Sequence, residues 1–161
     1  MTAFTVWRFG TIEGAEHVHQ LLGQAQKDGL VKIVDHAVVT WPVGAPSPEI
    51  DHCHDETWRG AGWGAMWGLL VGAMITIPVL GVAAGAGLGA LAKSTEKLGI
   101  SEEQLTAIGE GLTPGTSALF LVTQSGDLDR LGERLRGVDM KLLETNLTGV
   151  ERSMLDESLG R

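Results

Sequence analysis

GAGWGAMWGLLVGAMITIPVLGVAAGAGLGALA, residues 60–92, contains no charged side chain, and most of its glycines recur at a fixed interval. Gly60, Gly64, Gly68 and Gly72 are four apart, and so are Gly81, Gly85 and Gly89. A step of four on an α-helix returns to nearly the same face, so each set forms a track without side chains along which another helix can approach closely. Pro78 stands between the tracks, and a proline inside a helix lacks an amide proton and clashes one turn back. The stretch is therefore expected to be a helical hairpin, with arms at residues 60–77 and 78–92.

At about 1.5 Å per residue the arms measure roughly 27 and 22 Å, a little short of a hydrocarbon core of about 30 Å. Two placements remain open. The hairpin enters a lipid bilayer, or it buries its tracks against other copies of the chain in a soluble assembly. Trp63 and Trp67 give the first arm outward bulk that needs lipid or protein beside it, so self-association into a homo-oligomer is expected in either placement.

The flanking segments read as two copies of one pattern. Thr2 to Phe9 alternates like a strand, Thr11 is placed to cap a helix running to about Asp28, and Val31 to Trp41 is a β-branched second strand. Beyond the insert, Ser117 to Gln124 reads as a strand, Ser125 as the cap of a helix with Leu128, Leu131, Leu135 and Val138 on one face, and Met140 to Leu147 as a last strand. Strand, helix, strand, repeated, is the split βαβ order of a ferredoxin-like α+β sandwich with both helices on one face of an antiparallel sheet.

Residues 1–43 and 116–148 are then two halves of one domain, and residues 44–115 are an insert between its second and third strands. Besides the hairpin, the insert carries a polar shoulder at Gly44 to Arg59 and a short helix over residues 101–112, announced by the capping box from Ser101 to Gln104. Residues 149–161 read as a C-terminal helix whose Val150, Met154, Leu155 and Leu159 are expected to dock on a neighbouring subunit or cover an edge of the sheet. Since both halves must meet in one compartment, an insert that crosses a membrane must cross it an even number of times.

Composition narrows the partners. Twenty acidic against 12 basic residues give a net charge of −8, which disfavours a nucleic-acid backbone as ligand. The single cysteine, Cys53, excludes an internal disulfide and suits a reducing compartment. No basic start followed by an apolar run is visible in Met1 to Gly10, so a cytoplasmic body is expected, held at an inner membrane where the hairpin enters lipid.

Catalytic residues are not expected, and no cofactor is. His52 and His54 in the polar shoulder would point the same way in extended backbone and are the metal-ligand candidates of the chain, against the blander reading of a solvated loop. His17 and His19, two apart on a helix, fall on different faces and imply no shared site. His36, beside Asp35 in the second strand, would be the centre of a small dimeric ferredoxin-like oxygenase, but no paired base, nucleophile or phosphate-binding loop accompanies it. The alternatives to a self-assembling structural or membrane-associated protein are thus a metal- or small-ligand-binding sensor and, behind it, that oxygenase.

Several passages together resemble an uncharacterised bacterial family, the domain-of-unknown-function family twelve sixty-nine, whose members are described as predicted membrane proteins. They are the strand residues Asp35 to Val39, the segment from Gly64 to Gly72, the Gly-Ala repeats from Gly81, the passage from Leu112 to Phe120, and the ending from Leu143 to Leu147. The resemblance implies this architecture and no activity, cofactor or catalytic residue.

Overall fold

The computed structural model describes residues 3–51, 102–126 and 128–145, together with Ser153, Glu157 and Leu159. The glycine run 60–92 with Trp63 and Trp67, and the His52 and His54 pair, lie outside the described residues. Within them the chain forms β1 (Ala3–Phe9), α1 (Gly14–Lys27), β2 (Val31–Thr40), β3 (Glu49–Asp51), α2 (Glu102–Gly111), β4 (Ser117–Gly126), α3 (Leu128–Leu135) and β5 (Met140–Thr145). The strands make one five-stranded sheet in the order β3-β2-β4-β1-β5, and every neighbouring pair is antiparallel. This is a mixed α+β architecture in which strands from before and after residues 52–101 pair with each other.

Alternation along the strands divides the core into two layers. Trp7 and Phe9 of β1, Val38 of β2 and Leu119 and Leu121 of β4 pack with Val18, Leu22 and Ala25 of α1 and Leu135 of α3. On the opposite face, Phe4, Val6, Ala37, Val39, Phe120 and Val122 pack with Ile108 and Leu112 at the end of α2. The sheet is therefore covered on both sides, and Ala118 to Phe120 in the central strand are 0 % exposed. Sequence reading placed α1 and α3 on one face and left the other open; α2, from within the insert, fills it. At the contact a Cβ built on Gly111 would lie 2.8 Å from Leu143, so the absent side chain is what lets α2 come down onto β5.

The end of β2 and the start of β4 are joined through a turn. Thr113 to Thr116 is a tight turn with Pro114 at its second position and Gly115 at its third, where φ is 86°, the arrangement of a type II turn. The Thr116 hydroxyl donates to the Thr113 carbonyl at 2.6 Å. From this turn the Gly115 amide donates to the Trp41 carbonyl at 2.6 Å, and the Trp41 amide donates to the Thr116 carbonyl at 3.0 Å. The chain thus ends β2 beside Trp41 and enters β4 beside the same residue.

Local start and stop signals were read less well than periodicity. Thr11 does not cap α1: the helix begins after Glu13 without a side-chain cap, and the Ala15 amide instead donates to the Ser117 hydroxyl at 3.0 Å. Ser117, at the start of β4 and fully buried, in turn donates to the Thr11 carbonyl at 2.6 Å. Ser125 does not cap α3, because β4 continues to Gly126 in register with Val31 and Lys32 of β2. Glu49 to Asp51, read as part of a loop, adds a fifth strand against Val38, Val39 and Thr40. Leu159 is buried in the α1 and α3 layer of its own chain.

Candidate functional site

Strand parity puts His36 on the same side of β2 as Val38, facing α1. On α1, the buried stripe runs through Ala15, Val18, Leu22 and Ala25, and His19 stands at its margin. The crossover from β1 to β2 lays this helix against the strand, so the two imidazoles meet. Their ring centroids are 4.2 Å apart and their planes 27° from parallel. Sequence reading treated His17 and His19 only as a pair with each other and His36 as alone. The parity of His36 with Val38, and the position of His19 one residue after Val18, were the signals available.

Around the stack the polar partners are few. His19 Nδ1 and His36 Nε2 are buried and accept or donate no hydrogen bond among the described residues. Glu16, one turn before His19, brings Oε2 to 3.6 Å from His19 Nδ1 and accepts from the Gln20 amide on Oε1 at 3.0 Å. Asp35 uses Oδ1 to accept from the His36 backbone amide at 2.8 Å. Burial and then the neighbouring His19 hold the pKa of His36 below the ordinary imidazole value of 6.5, against the opposing pull of Asp35 and Glu16. His36 is accordingly held as a neutral ring.

The stack does not suit a metal ion shared by its two rings. Lone pairs lie in the planes of the rings, so two stacked imidazoles present them side by side rather than toward one point. Among the described residues no group of three or more His, Cys, Asp or Glu side chains could hold a metal ion. Beside the stack, an open groove of about 420 Å³ lies between the start of α1 and the end of β2, lined by Ile12, Glu13, Glu16, His17, Gln20, Thr40 and Pro42. His17 therefore faces this groove while His19 faces the sheet, as their spacing requires. The groove holds two carboxylates and an imidazole with no nucleophile among them.

Among the described residues no helix is long and apolar enough to cross a membrane. Comparison with known families gives one model, described as a protein of unknown function (DUF1269), which matches residues 61–160. The match includes the glycine run, α2, β4, α3 and β5; the Asp35 to Val39 passage falls outside it. No curated protein and no solved structure matches the chain.

Proposed function

The chain belongs to the DUF1269 family, and from the residues beneath that membership we propose a non-enzymatic, membrane-associated structural protein that self-assembles through glycine-zipper helices. In this reading β1, α1, β2, β4, α3 and β5 are a ferredoxin-like double split βαβ domain, and the helical hairpin of residues 60–92 is inserted between its second and third strands. The order β2-β4-β1-β5, with helices α1 and α3 on one face, supports that topology.

One observation carries the functional reading. An uncharged run with glycines at every fourth position sits inside an insert whose two ends are hydrogen-bonded to each other at Trp41. A chain that must return to its point of departure can enter lipid only as a hairpin, and glycine tracks are the surfaces on which such arms pack. The described residues offer little else to associate through: both sheet faces are covered, and the exposed large apolar side chains among them are Ile12 and Val43.

Fractionation of cells expressing the intact chain tests the proposal. Recovery in the membrane fraction, released by detergent but not by salt or carbonate, is the expected result. Recovery as a soluble monomer contradicts it.

A further inference from the structure

Phe9 and Met140 are opposite each other on β1 and β5 and both belong to the α1 layer, so the next pair, Arg8 opposite Lys141, points to the other face of the sheet. Two cations directly opposite on neighbouring strands repel, and such pairs are ordinarily avoided. This one occurs in a chain with 20 acidic residues and only 12 basic ones. Among the described residues no carboxylate forms an ion pair with either. Asp139, across from Gly10 at the end of the same strand pair, and exposed Glu110 near the end of α2 make none.

Arg8 is also short of hydrogen-bond partners. A guanidinium has five N–H donors in a fixed fork. Here one donates to the Thr113 hydroxyl at 3.4 Å, and Nε is buried with no partner among the described residues. Thr113 Oγ1 accepts that bond and keeps its own hydrogen to give. The register thus sets an exposed lysine directly opposite an arginine whose guanidinium reaches the hydroxyl of the turn after α2. They complement a group with several oxygens and more than one negative charge.

We propose that Arg8, Lys141 and Thr113 form a binding site for a phosphate group, free or carried by a lipid headgroup. The site lies on the opposite face of the sheet from the His19 and His36 stack and does not depend on the hairpin's assembling. Bound phosphate offsets the repulsion between the two cations and takes up the donors that the fold leaves open.

The test uses the intact chain with the variants Lys141→Gln, whose exposed side chain can change without disturbing the core, and Arg8→Gln. Inorganic phosphate is titrated at constant ionic strength while thermal stability is followed. In parallel, flotation compares vesicles of phosphatidylcholine alone with vesicles containing phosphatidic acid. Saturable stabilisation of the wild type by phosphate, with half-saturation weakened about tenfold in Lys141→Gln, supports a site open to free phosphate. Extra binding to phosphatidic acid vesicles that Lys141→Gln loses, without a free-phosphate effect, supports the site with a lipid headgroup as its source. Responses to both ligands that are absent, or equal in wild type and Lys141→Gln, overturn it.

Discussion

His19 on α1 and His36 on β2 stack at 4.2 Å, each with a buried ring nitrogen that has no hydrogen-bond partner among the described residues. The contact joins the first helix to the strand it precedes, and burial there holds the pKa of His36 below the ordinary imidazole value. Charging both rings would set two cations face to face in a partly dry site, where attraction from Glu16 and Asp35 offsets only part of the cost.

His36 therefore makes stability depend on pH. Its pKa in the folded state lies below 6.5, so between those two values the unfolded chain binds more protons than the folded one. The contribution is fully present above about pH 6.5 and is lost as pH falls below it toward the folded value. Phenylalanine at this position keeps a ring in the stack and removes the proton acceptor. Urea denaturation of wild type and His36→Phe at pH 8, 6 and 5 should show the wild type losing more stability on acidification; parallel slopes would count against the assignment.

Ser117 holds the start of α1 from a distance. Replacing it with alanine leaves the buried Ala15 amide and the part-buried Thr11 carbonyl without their partner, at a cost of about 1–3 kcal/mol. Chemical denaturation of Ser117→Ala measures this. A loss under about 0.5 kcal/mol, the size of an ordinary surface substitution, would show that water replaces the hydroxyl.

Two glycines of α1 should respond in opposite directions. A Cβ on Gly14 would lie 2.5 Å from the Cβ of Phe9, which is fixed to the backbone of β1, so Gly14→Ala must move the helix off the strand and is expected to cost about 1–3 kcal/mol. Around Gly23 nothing lies within 4 Å, and Gly23→Ala should add about 0.5–1 kcal/mol through helix propensity alone. Thermal melts of the two variants, one falling and one rising, check the close packing of α1 on β1.

The segment between β2 and β4 also contributes to the core. Ile108 of α2 is 1 % exposed and packs among Phe4, Val6 and Phe120. Truncation to alanine should cost about 2–5 kcal/mol, as for a central core residue. An Ile108→Ala variant with wild-type stability would mean that α2 is dispensable to the sheet.

The elements that sequence reading found are those written in short-range periodicity. Phe4 and Val6 against Trp7 and Phe9, or Val18, Leu22 and Ala25 along α1, announce their strand and helix from within a few residues. What it missed is set by partners far away in the chain. Ser117 replaces the local cap expected from Thr11, β2 draws β4 out to Gly126, and Glu49 to Asp51 becomes a strand only because β2 has a free edge. The same holds at the candidate site: His36 was visible as a strand histidine, but its stacking partner depends on which turn of α1 the crossover sets against it. Arg8 and Lys141 carry no local signal, since only the register of β1 with β5 puts them face to face.

The central claim is that residues 60–92 fold back on themselves and bring copies of the chain together through their glycine tracks. Native mass measurement of the detergent-extracted wild type, beside Gly68→Leu and Gly85→Leu, tests it most directly. The account predicts a defined homo-oligomer for the wild type and dissociation toward monomer when a leucine fills either track. A monomeric wild type, or an assembly whose mass is the same in all three proteins, would contradict it.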